Sequence, residues 1–144
     1  MISDKDISDI QKIINYKFNN IETLKECFTH SSYLNKYKST TKKISKYERL
    51  EFLGDRVLGL IIANKLLELY PTEKEGILDK KLANLVNKNT CYEIGNKLDL
   101  EKYILIGNLN NKKEKKLESK IIADCCEAVI GAIYLDQGLK VAKE

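Results

Sequence analysis

Residues 47–70, YERLEFLGDRVLGLIIANKLLELY, read as one uninterrupted helix that stops at Pro71, the only proline in the chain. Twenty-four residues of α-helix span ~36 Å, and a proline lacks the N–H that would continue it. The run is apolar on most of its circumference, which predicts a long central helix of an all-α domain with other helices packed round it. It nevertheless carries Glu48, Glu51 and Asp55. Their i, i+3, i+7 spacing puts all three carboxylates on one face. Uncompensated like charges one turn apart, such as Glu51 and Asp55, cost a helix roughly 0.2–0.5 kcal/mol. A sequence needing only a stable helix would place a lysine there.

A second apolar run, SKIIADCCEAVIGAIYLDQG, repeats the pattern with Asp124 and Glu127 at i, i+3. Hard divalent cations take oxygen ligands from a few carboxylates, waters and phosphate oxygens, and two acidic pairs on crossing helices suit that demand. Such a crossing needs small residues, and Gly54, Ala128, Gly131 and Ala132 are available. Glycine inside a helix costs roughly 1 kcal/mol against alanine, so Gly54 and Gly131 point to close helix–helix approach. Each acid is also open to an ordinary ion-pair reading, since Lys120 precedes Asp124 by four residues and Arg56 is within reach of Glu51. All four acids together are harder to account for that way. No nucleophilic serine motif, glycine-rich phosphate loop or second histidine competes with them. His30 stands alone and reads as a core or helix-end packing residue.

The rest of the chain continues the helical pattern. Ile7, Ile10, Ile13 and Ile14 have helical period, residues 16–20 read as a turn, and Ile21, Leu24 and Phe28 form a second stripe. Further stripes run through Ile77, Leu82 and Leu85, through Tyr92, Ile94 and Leu98, and from Leu139 onward. Residues 103–106 read as helix or irregular, because no partner strand is evident. Residues 35–46, with five lysines, and 108–120 are polar and read as loops.

At 144 residues the chain has room for one domain. Charged residues make up 32% and no apolar stretch reaches the ~18 residues of a membrane span, so no membrane association is expected. The N-terminus, MISDKDISDI, lacks a secretory apolar core. Cys27, Cys91, Cys125 and Cys126 show no CxxC spacing and read as reduced core residues. The expected compartment is the cytoplasm. A net charge of +4 permits a polyanionic partner without demanding one.

YERLEFLGDRVL at 47–58 resembles the signature of the ribonuclease III family, in its bacterial form, and ADCCEAVIGAIYLDQG at 123–138 resembles that family's second acidic motif. FTHSSY at 28–33 and EGILDKKLANLVN at 75–87 match further family segments in order. The resemblance covers residues 1–144 as the family's all-α endonuclease domain, and no double-stranded-RNA-binding domain is expected within this chain. It implies Mg2+ ligands at Glu51, Asp124 and Glu127, with Mn2+ able to substitute, catalytic roles for Asp55 and Glu127, and a supporting role for Glu48. It further implies a homodimer that hydrolyses double-stranded RNA to 5′-phosphate and 3′-hydroxyl ends with short 3′ overhangs, acting on rRNA and mRNA precursors. Lys112, Lys113, Lys115, Lys116 and Lys120 are candidate phosphate contacts, or simply part of a solvated loop.

Two departures stand out: Leu82 replaces a usual arginine, and lysines and asparagines replace a glycine- and arginine-rich loop before the second motif. The alternatives are a noncatalytic RNA-binding or ribosome-associated relative of the same fold, and a helical protein-interaction module. The latter would pair its acidic clusters with lysines, in four salt bridges with no shared cavity.

Overall fold

The computed structural model describes residues 2–33, 46–107 and 118–143, and the helices bounded within them follow one another in sequence. They are α1 (Asp4–Ile14), α2 (Ile21–Cys27), α3 (Lys46–Leu69), α4 (Glu75–Leu85), α5 (Lys88–Lys97), α6 (Ser119–Gln137) and α7 (Leu139–Lys143), with a 3-10 turn at Leu100–Tyr103. Side-chain caps mark several starts. Ser3 accepts from the Asp6 N–H, Asn20 from Glu22 and Asn87 from Thr90, each satisfying an amide the helix itself cannot. The polar loop expected over 108–120 gives way to α6 at Ser119, and residues 35–45 and 108–117 lie outside the described residues.

The α3–α6 pair dominates the packing, and glycine makes it possible. A Cβ built at Gly54 would stand 1.7 Å from the carbonyl oxygen of Glu127, and one at Gly131 would stand 2.3 Å from that of Leu50. The two backbones therefore touch where the sequence places its helix-interior glycines. Ile122, Cys125, Cys126, Ala128 and Val129 of α6 then pack into a core with Ile10, Leu24, Phe28, Tyr47, Leu50, Cys91 and Leu100. All four cysteines are buried and none is in a disulfide.

Burial is distributed differently from the sequence expectation. The long helix α3 lies at the heart of the packing, but only Tyr47, Leu50, Gly54, Val57 and Leu66 are buried along it. Phe52, Leu60, Leu67 and Leu69 on its other side are all more than half exposed. The helix enclosed on most sides is the shorter α6, which buries ten residues, Asp124 and Glu127 among them. Apolar content alone does not say whether a helix face meets its own chain or another surface.

Residues 104–106 do find a partner. Leu105 forms an isolated parallel bridge with Thr29, donating to the Phe28 carbonyl at 2.8 Å and accepting from the His30 N–H at 2.9 Å. No periodic signal marks so short a pairing. His30 packs edge-on against Tyr47 and contacts Ser32 Oγ through Nδ1, the packing role expected for it. Among the described residues no helix is long and apolar enough to cross a membrane.

Candidate metal centre

Because α3 and α6 cross at Gly54 and Glu127, the acids flanking that crossing are forced together. Glu51 lies one turn before Gly54 on α3, while Asp124 and Glu127 lie one turn apart on α6. One carboxylate oxygen from each of these three residues falls within 4.8 Å of the others. Asp124 and Glu127 are nearly inaccessible, with 6% and 3% of their side chains exposed, whereas Glu51 retains 23%. Burying ionised carboxylates side by side is unfavourable unless a cation compensates.

The compensating group here is Lys88, the first residue of α5. Its Nζ donates to Glu51 Oε2 at 3.0 Å, to Asp124 Oδ1 at 2.5 Å and to Glu127 Oε1 at 2.6 Å. Lys120 adds a pair to the other Asp124 oxygen at 2.7 Å, the i, i+4 partnership visible in the sequence. These are four ion pairs, but three share one ammonium at one centre. Four salt bridges to lysine match an interaction module in number, but the shared centre on which three of them converge does not.

Each acid responds differently to this environment. Burial pushes the Glu127 carboxyl up to about 7 against the opposing pull of Lys88. Burial, outweighing Lys88, and the Asp124 charge also raise Glu51. At Asp124 burial is overcome by Lys120 and Lys88 together, which hold it below the ordinary aspartate range. For Lys88 the three carboxylates outweigh burial and keep its proton well above the usual lysine range.

A pH dependence follows. Between pH 4.5 and 7 the native state holds a proton on Glu127 that the unfolded state has lost, so stability falls as pH rises through that window. Glu127 is expected to contribute a loss of about 1–3 kcal/mol. Comparing thermal melts of the wild type and Glu127→Gln in EDTA across pH 5–8 isolates this from His30, which burial shifts below 6.5 and which acts in the opposite direction.

The donor set fits a hard divalent cation. All three groups are carboxylate oxygens, and their spread is close to the ~4 Å separating opposed ligands of Mg2+ at about 2.0–2.1 Å. An ammonium already sits among them, which shows that the arrangement accepts a positive charge.

The other candidates lie further out. Asp55 adjoins Glu127 closely enough to raise its pKa, but its own carboxylate pairs with Arg56 at 2.8 Å. Arg56 in turn lies over the Phe52 ring and pairs with Asp55, not Glu51. Glu48 accepts from Ser31 Oγ at 3.3 Å and stands outside the cluster of three. Lys112, Lys113, Lys115 and Lys116 lie outside the described residues. Sequence reasoning missed Lys88. One signal was present: a lysine opening a helix sits at the positive end of the helix dipole, so something beyond its own helix must hold it.

Comparison with known proteins adds to this geometry. A family model described as Ribonuclease-III-like matches residues 20–144. The chain is 55% identical over 130 residues to Ribonuclease 3 of Pelagibacter ubique, an alignment covering 90% of this chain and 54% of that protein. It is 41% identical over 133 residues to Ribonuclease 3 of Nitrobacter winogradskyi, covering 92% and 49%. The chain thus spans about half the length of the curated relatives it matches. Two solved structures of the nuclease domain of ribonuclease III from Campylobacter jejuni superimpose with TM-scores of 0.82 and 0.81 at 35% identity, covering 95% and 96% of this chain and 90% and 89% of theirs. One of them concerns structural flexibility in the region involved in dimer formation.

Proposed function

The chain belongs to the ribonuclease III family, and on that premise we propose that residues 1–144 form an endonuclease domain that hydrolyses phosphodiester bonds of double-stranded RNA with Mg2+. The supporting observation is the convergence of Glu51, Asp124 and Glu127 at the glycine crossing, with oxygens within 4.8 Å. In this reading those three residues hold the metal, and Mn2+ substitutes for Mg2+. When bound, the ion supplies Lewis acidity toward the scissile phosphate and lowers the pKa of a water.

The chain's own residues prepare that chemistry. Asp124, held ionised by Lys120 and Lys88, is a permanent anionic ligand. Glu127 and Glu51, both raised by burial, would be the ligands whose charge a bound cation stabilises most. Asp55, partly exposed beside Glu127, is placed to orient a water or take up a proton at the edge of the centre, and Glu48 supports the first turn of α3. Duplex RNA is read by backbone, shape and 2′-hydroxyls, because its major groove is too narrow for side chains. The products carry 5′-phosphate and 3′-hydroxyl ends with short 3′ overhangs, the substrates are rRNA and mRNA precursors, and the setting is the cytoplasm.

A homodimer explains the uncovered side of α3. Phe52, 60% exposed, stands beside a concavity of about 720 Å³ lined by Glu26, Leu50, Leu53 and Leu135. A twofold axis would bring each Phe52 to its partner's concavity, since isologous interfaces pair the same patch twice. Light scattering is expected to give twice the 16.5 kDa chain mass. Phe52→Glu should return it to the monomer value. A wild-type monomer at micromolar concentration contradicts the dimer.

Incubation with long duplex RNA at low salt, with Mg2+ or EDTA, tests the activity. Mg2+-dependent cutting of duplex but not single-stranded RNA is the expected result. The alternative is a noncatalytic relative of the same fold, although Glu51, Asp55, Asp124 and Glu127, whose loss would mark such a relative, are all present. A gel shift of the duplex without cutting, beside an active control enzyme, would decide for it.

A further inference from the structure

Lys88 occupies the place that a cation bound by Glu51, Asp124 and Glu127 would have to take. Its Nζ reaches all three carboxylates. Mg2+ binds its oxygens at about 2.0–2.1 Å, so an ammonium and a divalent ion cannot share a centre whose oxygens lie within 4.8 Å of one another. We propose that Lys88 is a built-in counter-cation: it holds the three carboxylates together in the absence of metal and leaves the centre when a divalent cation enters. This rests on the metal-centre reading above and adds a competitor to it.

Three observations support the exchange. The first is positional. A lysine at the start of α5 gains nothing from its own helix, whose dipole is positive at that end and whose N-terminus Asn87 already caps. Its position is explained by the carboxylates of α3 and α6, not by local helix stability.

The second is the contrast in exposure. Asp124 and Glu127 are all but sealed, whereas the Lys88 side chain is 49% exposed. A lysine is a point charge on a flexible four-carbon stem, so rotation about its own torsions carries the ammonium into solvent without repacking any helix. The acids stay where the α3–α6 crossing puts them.

The third is charge. Without Lys88, Lys120 neutralises Asp124 alone, leaving Glu51 and Glu127 to repel each other and Asp124 across a few ångströms of partly dry protein. Removing one partner of a buried pair leaves the other uncompensated and is strongly destabilising. Lys88 therefore stabilises the metal-free protein, and the same contacts oppose metal entry. Both effects have one cause, so a single substitution should move them together.

The test uses the full chain as wild type, Lys88→Gln and Lys88→Arg, each freed of metal by EDTA. Mg2+ and Mn2+ binding is measured by calorimetry without RNA, and melting temperature is measured in EDTA and in Mg2+. Lys88→Gln is expected to bind both ions about tenfold more tightly than wild type, to melt lower in EDTA and to recover in Mg2+. Lys88→Arg keeps the charge and should melt in EDTA as the wild type does.

Unchanged affinity and unchanged melting in Lys88→Gln would overturn the proposal, as would weaker binding, which would make Lys88 a helper of the metal. If Lys88→Gln does not fold in either buffer, Lys88→Arg decides: wild-type melting in EDTA supports the charge argument, and a melt as poor as the glutamine variant's overturns it. Absence of binding heat for either ion in all three proteins removes the metal centre itself, and this proposal with it.

Discussion

Glu127→Gln is expected to lower duplex cleavage by about 10³-fold or more, equivalent to ~4 kcal/mol of barrier, with fold and duplex binding intact. The substitution preserves shape in a side chain only 3% exposed, so it neither opens a cavity nor overpacks the core. It changes charge and donor count. Glu127 Oε1 accepts from Lys88 at 2.6 Å, and Oε2 lies 3.9 Å from Cys91 Sγ. An amide keeps one acceptor oxygen but replaces the other with a donor, and carries no charge to hold a divalent cation. Duplex affinity depends instead on phosphate contacts by basic residues, none of which is altered. Cleavage assays in Mg2+ paired with gel shifts in EDTA check both halves. Cutting at the wild-type rate would remove Glu127 from the centre.

Gly54→Ala is expected to cost about 3 kcal/mol or more, at or beyond the upper end for overpacking, and to lower the melting temperature by roughly 10 °C. The added methyl would meet the Glu127 carbonyl oxygen at 1.7 Å and the Gly131 nitrogen at 3.0 Å. Both are backbone atoms inside a helix, so no side-chain rotation relieves the clash. The helices must separate, and since Glu127 is itself at the contact, metal affinity should fall alongside stability. Gly59→Ala in the same helix is the control. Nothing lies within 4 Å of its Cβ position, so alanine should stabilise by up to about 1 kcal/mol through helix propensity. Similar melts for the two variants would mean that α3 and α6 do not touch as closely as the backbone positions require.

Most of the helices could be read from periodicity, because a repeat near 3.6 residues states which side chains share a face. The run ending at Pro71 became α3 within a residue at either end, and Asp124 and Glu127 share one face of α6 as their spacing implied. Helix-interior glycines carried tertiary information as well, since their cost demands a return that close packing provides. Two expectations were less complete. The exposed side of α3 looks like core in a hydropathy pattern, which records that a face avoids water but not what covers it. The Thr29–Leu105 bridge involves too few residues to leave an alternating signal.

What the sequence determined by itself was local and facial: where helices begin and end, which acids line one side, and which positions must stay small. What only the tertiary structure decided was which distant groups meet. Lys88 lies 37 residues from Glu51 and 36 from Asp124, and no pattern within a helix encodes that encounter. It is set by how α5 docks against α6 once the core has formed. The physical reason is range: backbone hydrogen bonding and side-chain periodicity act within a few residues. The neutralisation of a buried charge depends on whatever cation the packed helices bring to it.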